Sequence, residues 1–542
     1  MKRTIYSISF LAGLFFFSLI SCREEIKKHR IFRMNQVQNV ESLDPAFAKN
    51  QYIMWQVYQC YNRLVEFDES MQPVPSLALR WDISSDRTLY TFHLRTDVYF
   101  HDNEVFPGGK GRRMTASDVV YSFNRITDEK TASPGAWIFN DRVDSVQPFT
   151  ALNDSTFQLK LQKPFYPVLG ILSMMYCSIV PHEGVEKWGK DFRSHPCGTG
   201  PFVFQEWEEA VAITYTRNEH YWEVDSQGKR LPYIDGIKCT QVDSKATEFL
   251  MFMQGDLDFM NSIDAVFKDQ ILNRRGELKP KYRKAFRLQK HPYLNVEYLG
   301  FLMNDSLNTQ KILLNKKIRQ AINYGFDRKK LVTYIRNNIG IAAEAGMVPP
   351  ALPGFDSSQV HGYRYDPEKA RQLLDEVKKE MGGTLPEITL LSNDNYSDRC
   401  YFVSSQLEEL GLKIKVEIML PSLLREQMSN GKAAFFWATW IADYPDAEAY
   451  LTLFYGANDS PPNYTRFRNR NYDSLYRAVL TEKVAQKRLA LIQAMDRIVI
   501  QEAPVVPLFY DEVMHFVRNR VHHFNTNSSN LIDLKRIELD PE

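Results

Sequence analysis

The chain lacks the short motifs that mark the common enzyme classes. Its 542 residues contain no G-x-S-x-G element, no P-loop and no G-x-G-x-x-G after a strand-like segment. Nucleophile-elbow, phosphate-loop and dinucleotide sites therefore have no sequence support. His182-Glu183 begins like a zinc-protease motif, but Glu186 occupies the position of the second histidine. These absences argue against an enzyme, and they predict neither a metal site nor a cofactor.

Cysteine pairs and an excess of one charge are also lacking. The six cysteines are widely spaced and form no C-x-x-C pair, so neither a zinc site nor a dithiol redox motif is indicated. An oxidising compartment would permit one disulfide among the five cysteines after Cys22. The 67 basic and 66 acidic residues nearly cancel, whereas nucleic-acid binding requires a basic face. We therefore expect no nucleic-acid partner.

Only one long apolar run is present, and it lies at the N-terminus. A basic start precedes an apolar stretch from about Ile8 to Ile20, which ends in Leu-Ile-Ser-Cys22. This pattern is typical of a secretion signal, and the run is shorter than the roughly 20 apolar residues of a spanning helix. It resembles a bacterial lipoprotein signal, which predicts a signal peptide over residues 1–22, acylation of Cys22 and a charged tether over residues 23–30. The alternatives are an ordinary signal peptide with a chance cysteine, or an uncleaved anchor.

The rest of the chain alternates strand-like and helix-like segments. With 44% hydrophobic and 25% charged residues, it has the composition of a globular protein, and its length predicts more than one domain. Periodicity and capping patterns predict helices over 115–126, 316–324, 367–379 and 402–410, and strands over 89–95 and 412–419. From about Leu385 the order strand, helix, strand predicts a parallel α/β unit.

Several segments resemble the family 5 extracellular solute-binding proteins, which are peptide-binding components of ABC importers. The matching segments follow the family order and cover the predicted mature chain; they are Ser42–Pro45, Pro75–Arg95, Val98–Asp102, Thr115–Arg125, Gly198–Phe202, Arg217–Trp222, Gly255–Asp258, Arg319–Ile322, Asp327–Arg328, Trp440–Leu451 and Ala503–Leu508. One such match is weak evidence, but the ordered set identifies the chain as a member of this family.

The resemblance implies an α/β, two-lobed periplasmic-binding-protein-like fold of class II with an additional inserted domain. Lobe I would comprise about residues 31–74, 197–293 and 505–542, the inserted domain about residues 75–196, and lobe II about residues 294–504. The ligand would lie between the lobes, which close by a hinge.

The resemblance also implies a function without catalysis. The protein would be a monomeric receptor on the extracytoplasmic side of the cell envelope, lipid-anchored through Cys22. It would deliver short peptides to an ABC permease, while separate ATPase subunits use the ATP. Two alternatives stay open. One is the same fold binding a nickel chelate, haem, glutathione, an opine or an oligosaccharide. The other is a surface or signalling lipoprotein that has lost transport.

A receptor for many peptides should bind the parts that all peptides share. Backbone groups can pair with a strand edge, and the terminal ammonium can bind a carboxylate. Residues 438–444 resemble the ligand strand of the family. The match implies that Thr439 and Ile441 offer backbone groups, that Asp443 binds the ammonium and that Trp440 lines a side-chain pocket.

Further candidates come from position and side-chain chemistry as well as from the resemblance. Asp446 and Glu448 are alternatives to Asp443 as the ammonium partner, and Arg399 offers a guanidinium to a peptide carboxylate. The remaining candidates for contact with ligand are backbone or aromatic positions: Trp137, Asn50, Gln51, Tyr444, Tyr464 and Tyr510.

Overall fold

A computed structural model describes residues 30–541 of the chain. The predicted signal peptide, Cys22 and the tether up to residue 29 lie outside the described residues. No helix within residues 30–541 is long and apolar enough to cross a bilayer.

Two four-stranded sheets come from the first half of the chain. In one, the order is β1 (Ile31–Asn35), β10 (Gly236–Thr240), β9 (Ala212–Arg217) and β8 (Phe202–Glu208), and only the β1–β10 pair is parallel. In the other, the order is β4 (Ala78–Ile83), β5 (Leu89–Leu94), β7 (Thr156–Lys160) and β6 (Phe149–Asn153), and every pair is antiparallel.

The largest sheet has seven strands and combines antiparallel and parallel pairs. Its order is β11 (Phe259–Asn261), β17 (Val505–Arg518), β12 (Phe286–Phe301), β16 (Phe435–Ile441), β14 (Ile388–Ser392) and β15 (Ile414–Ile418), with β13 (Ile341–Ala342) also on β17. Three two-stranded pairs complete the described strands: β2 (Val65–Phe67) with β3 (Pro73–Pro75), β18 (Val521–His522) with β21 (Glu538–Leu539), and β19 (Asn525–Thr526) with β20 (Ile532–Asp533).

The α-helices cover the sheets and connect them. They are α1 (Gln51–Cys60), α2 (Ala116–Thr127), α3 (Val168–Leu172), α4 (His182–Trp188), α5 (Lys245–Gln254), α6 (Ala265–Ile271), α7 (Lys316–Tyr324), α8 (Arg328–Lys330), α9 (Pro367–Met381), α10 (Ser397–Glu408), α11 (Pro421–Ser429), α12 (Glu448–Leu451), α13 (Arg470–Thr481) and α14 (Ala485–Glu502).

Buried apolar side chains form three large clusters. One contains residues between 294 and 510 together with Met71, and a second contains residues between 64 and 197 together with Tyr444 and Ala449. The third contains residues of 32–61, 175–259 and 517–539. Side chains of 505–510 pack in the first cluster, whereas the predicted domain limits assign residues 505–542 to lobe I. We keep those limits as a proposal.

The strands β12 and β17 pair along most of their lengths, but their register changes twice near the middle, between Pro292 and Val296 and between Glu297 and Tyr298. Pro292 lies opposite Glu512, and the next pair is Val296 with Tyr510. Three residues of β12 therefore lie opposite a single residue of β17. This arrangement is a β-bulge, and bulges bend and twist a strand. This bulge divides the ribbon formed by β12 and β17 into two parts. One part lies near β11, and the other packs in the first apolar cluster.

The local predictions agree well with the structure. The capping box of Thr115 and Asp118 begins α2, and α7 has the predicted limits. β14 and β15 are parallel, as predicted. The helix predicted to begin at Phe402 begins at Ser397, because its first turn is polar and gives no apolar periodicity. The cysteines at 60, 177, 197, 239 and 400 are buried free thiols, so the disulfide that the sequence permitted is not formed among them.

Candidate ligand-binding cleft

The end of β16 presents an open backbone edge. The backbone N–H of Ala442 donates to the carbonyl of Leu294 at 2.9 Å, and Ile441 and Thr439 lie opposite residues 295 and 297 of β12. Backbone groups alternate in direction along an antiparallel strand, so those of Thr439 and Ile441 point away from β12. On that side β14 pairs with β16 only at Phe436. Within the described part of the chain, Thr439 and Ile441 therefore have no strand partner on this edge.

Asp443 follows this edge directly and has no counter-ion among residues 30–541. Solvent reaches its side chain, yet no hydrogen bond or ion pair joins its carboxylate to another described residue. The surrounding protein atoms desolvate the carboxylate, and the charge of Glu448 adds to the effect. Together they raise the pKa of Asp443 to about 6. Access to water combined with partial desolvation is the environment of a cleft wall, where a cation would be bound favourably.

Residues of the predicted inserted domain border Asp443. Burial and the charge of Asp443 raise the pKa of the Tyr176 phenol to about 12. The Tyr176 ring packs so closely on Gly135 that a Cβ there would lie 2.5 Å from a ring carbon. Trp137 lies two residues further on and is 37% exposed, with the Arg142 guanidinium 5.5 Å from its ring centre. The segment of Trp137 thus lies beside the tyrosine that faces Asp443.

Glu448 is not the free carboxylate that the sequence offered as an alternative. It is buried and accepts hydrogen bonds from the hydroxyls of Tyr444 and Tyr476, and burial raises its pKa. Asp446 pairs with Arg488 at 2.7 Å. Of the three neighbouring acids, only Asp443 has a carboxylate without a partner among residues 30–541.

A cavity of about 370 Å³ adjoins this region and contains two further predicted residues, Gln51 and Arg399. The Gln51 amide donates to the carbonyl of Asn530 at 3.3 Å. Asn50 is the N-cap of α1, where its side chain accepts the N–H of Ile53 at 3.1 Å, so that side chain is already engaged. The other charged or polar lining residues include Asn261, Lys268, Tyr293, Arg336, Asn395, Asp398, Asp511 and Glu512.

Arg399 lines the cavity, and protein carboxylates neutralise the charge of its guanidinium group. It lies in the first turn of α10 and is buried, with its Nε 3.2 Å from a carboxylate oxygen of Glu297 and its Nη1 3.0 Å from Asp398. Burial raises the pKa of Glu297 to about 7, although the charge of Arg399 opposes the shift. Arg336 is likewise paired with Asp511. A ligand carboxylate would therefore share these guanidinium groups with protein carboxylates.

Two tyrosines connect the cavity to Asp443. Burial raises the pKa of Tyr293, and the charge of Asp511 adds to the effect; Tyr293, Gln51 and Asp511 all line the cavity. Tyr450 lies close enough to both Tyr293 and Asp443 for their charges to raise its pKa, although burial is the larger cause. The side chain of Asn295 accepts from the Thr439 hydroxyl and donates to the carboxylate of Asp511, which lines the cavity, so the open edge lies beside the cavity.

Three predicted aromatic contacts need correction or qualification. Tyr444 is 5% exposed and packs in the apolar cluster of residues 64–197, and Tyr510 is 3% exposed and donates to the carbonyl of Gly346 at 2.8 Å. Both are core residues, so we withdraw them as direct ligand contacts.

Tyr464 is half-buried beside Thr465, whose carbonyl accepts the N–H of Met303. That position is near the far end of β12 from Asp443.

Trp440 remains at the cleft but is held in place. Its indole N–H donates to the carbonyl of Ala449 at 2.7 Å, and its ring packs partly against the first apolar cluster.

Sequence reasoning missed Tyr176, Tyr293, Glu297, Arg336 and Asp511. They come from separate segments, and no local pattern of the sequence marks them.

A family model described as bacterial extracellular solute-binding proteins, family 5 middle, matches residues 72–462. The chain belongs to this family. It is 30% identical over 475 residues to the heme-binding protein A of Haemophilus influenzae, covering 83% of this chain and 81% of that protein. It is 25% identical over 498 residues to the dipeptide-binding protein of Escherichia coli, covering 86% and 88%.

Solved structures share the fold. HbpA2 from Haemophilus parasuis superposes with a TM-score of 0.80 at 24% identity, covering 94% of this chain and 99% of that one. The DppA protein of Helicobacter pylori in complex with the peptide STSA gives a TM-score of 0.72 at 23% identity, covering 93% and 97%. The chain therefore has the two-lobed class II binding-protein fold that its sequence predicted. Family 5 members are substrate-binding proteins of ABC importers, and the curated relatives are binding proteins and not enzymes.

Proposed function

We propose that this protein captures short peptides in the cleft beside β16 and delivers them to an ABC permease. The backbone of an extended peptide pairs with Thr439 and Ile441, and its N-terminal ammonium binds Asp443. The observation that carries this proposal is a carboxylate without a partner directly after an open strand edge. We further propose that the protein acts as a monomer, anchored to the outer face of a membrane through acylated Cys22.

The charge of the cleft favours this ligand class over haem. A haem carries carboxylates, which the unpaired Asp443 would repel, whereas a peptide brings an ammonium group to the same place. The relatives named above include both a heme-binding and a dipeptide-binding protein, and the mass of the bound ligand distinguishes these two classes.

Native mass spectrometry on protein purified without denaturation tests the proposal. We expect the wild-type protein, in a soluble form beginning at Arg23, to carry a ladder of adducts at peptide masses. Asp443→Asn should lose most of them, because a charged hydrogen bond contributes about 1.5–3 kcal/mol, or roughly 10-fold to 100-fold in affinity. The exposed Asp154, changed to Asn, is the matched control and should keep the ladder. One discrete non-peptide adduct that survives Asp443→Asn would contradict peptide binding.

A second prediction concerns the strand edge. Ile441→Pro removes a backbone N–H that points into the cleft and leaves the bonds of Ala442 to β12 in place, since proline is tolerated on the open side of an edge strand. We expect the affinity for tri-alanine to fall about fivefold, the effect of one lost hydrogen bond of about 1 kcal/mol. Isothermal titration calorimetry measures it, with Ile441→Val as the control that keeps the N–H. Equal affinity of the proline variant would mean that this N–H makes no contact.

A further inference from the structure

A second cavity, separate from the peptide cleft, has the features of a ligand site. It has a volume of about 540 Å³, within the usual range of small-molecule sites. Its walls come from three stretches of the chain, residues 41–53, 125–131 and 185–193. None of its lining residues lines the cavity that contains Gln51 and Arg399.

Strong contacts hold the walls of this cavity together. Arg125 on α2 makes a bidentate pair with Asp44, with distances of 2.7 and 2.5 Å, and both side chains are almost fully buried. The backbone N–H of Leu43 donates to the carbonyl of Arg193 at 2.7 Å. A bidentate pair of this kind is both strong and geometrically specific, so the cavity has a defined shape.

The charge around the cavity is unbalanced. Its lining contains the bases Lys49, Arg125, Lys130, Lys190 and Arg193 but only the acids Glu41 and Asp44. Three of the bases are neutralised: Lys49 by Glu41, Arg125 by Asp44 and Arg193 by Glu209. Lys130 and Lys190 have no ion-pair partner within residues 30–541. The carboxylate of Asp128 lies near Lys130 without forming an ion pair, and bases outnumber acids in the described lining, so the rim carries an excess of positive charge.

The interior of the cavity is apolar. Ile53 is fully buried, and Phe47 and Val185 are partly buried with faces toward the cavity. Burial of an alkyl chain against such a surface contributes about 0.8 kcal/mol for each methylene group. An apolar interior below a cationic rim is complementary to a molecule with a short apolar chain and an anionic head.

We propose that this cavity is a second ligand site, which binds an amphiphilic anion through its apolar chain and its carboxylate or phosphate head. Lys130 and Lys190 bind the head, and Phe47, Ile53 and Val185 contact the chain. The proposal does not depend on peptide binding, because Asp443 and β16 take no part in it. The site does share α1 with the cleft, since Lys49 and Ile53 flank Asn50 and Gln51.

Photolabelling of the full chain in its own membrane tests this site. The probe is dodecanoate with a diazirine in the chain, and labelled peptides are mapped by mass spectrometry. We expect labelling to concentrate on residues 41–53 and 185–193 and to be competed by octanoate or octyl phosphate; the stronger competitor identifies the preferred head group. Diazirine-bearing dodecanol, which lacks the charge, should label these peptides much less.

Charge variants provide the decisive comparison. Lys130→Glu with Lys190→Glu should reduce labelling of the two peptides about tenfold, as expected for the loss and reversal of attraction at a partly exposed site. Lys163→Glu with Lys413→Glu makes the same change in net charge at exposed positions elsewhere and should have no effect. Labelling spread evenly over the chain, equal labelling by dodecanol, or full labelling of the Lys130 and Lys190 variant would overturn the proposal.

Discussion

Asp258→Asn should lower the free energy of unfolding by about 3 kcal/mol. This value is at the low end of the range for breaking a buried ion pair, because the arginine partners of Asp258 are partly exposed. The Asp258 side chain is completely buried. It accepts hydrogen bonds from the backbone N–H of Arg33 at 2.8 Å and from the Arg520 guanidinium at 2.6 and 2.9 Å. One carboxylate therefore joins β1, the turn before β11 and the segment after β17.

Thermal and urea unfolding of the ligand-free protein measure this effect. Asp256→Asn is the matched control, because Asp256 lies in the same turn but is exposed, and its stability should stay within about 0.5 kcal/mol of the wild type. A loss below about 1 kcal/mol for Asp258→Asn, judged against that control, would show that the arginines find other partners at little cost.

Peptide affinity should depend strongly on pH through Asp443. Only the ionised carboxylate attracts an ammonium group, so binding lowers the pKa of Asp443 from about 6 in the free protein. Affinity is then highest above pH 6 and falls as the pH drops, by about tenfold for each unit below the free pKa. Between pH 7 and pH 4 we expect a loss of about 100-fold. The measurement is tri-alanine binding by calorimetry across this range.

Neighbouring groups must be separated from Asp443 in that experiment. Burial raises the pKa values of Tyr176 and Tyr450, so both phenols stay neutral throughout. Burial raises the pKa of Glu297 to about 7, so Glu297 takes up a proton in the same range, and burial also raises the pKa of Glu448. Asp443→Asn keeps these groups and removes only the carboxylate in question. Its affinity should be low and nearly flat with pH, and a profile parallel to that of the wild type would contradict the assignment.

Local patterns predicted the elements of the fold, and the family resemblance predicted the edge of β16 and Asp443. The capping box at Thr115 and the period of residues 316–324 depend on contacts within a few residues, which the sequence displays directly. Tyr444 and Tyr510 were predicted as ligand contacts because aromatic residues suit clefts, but whether a ring faces a cleft or a core depends on distant segments. The partner of Arg399 was unpredictable for the same reason, since Arg399 lies on α10 and Glu297 lies about 100 residues earlier, on β12.

The bulge between β12 and β17 determines where relative motion of the lobes would be concentrated. A ribbon bends most easily where its ladder of backbone bonds is interrupted, and this one is interrupted at residues 293–295, opposite Asp511. Tyr293 borders the cavity of Gln51 and Arg399, so bending at the bulge would take place beside the proposed ligand site. Points on the lobes that lie far from the bulge then move further than points beside it. Small changes in the contacts of a bound ligand would therefore become large displacements at the outer rims, where a membrane partner could distinguish a loaded receptor from an empty one.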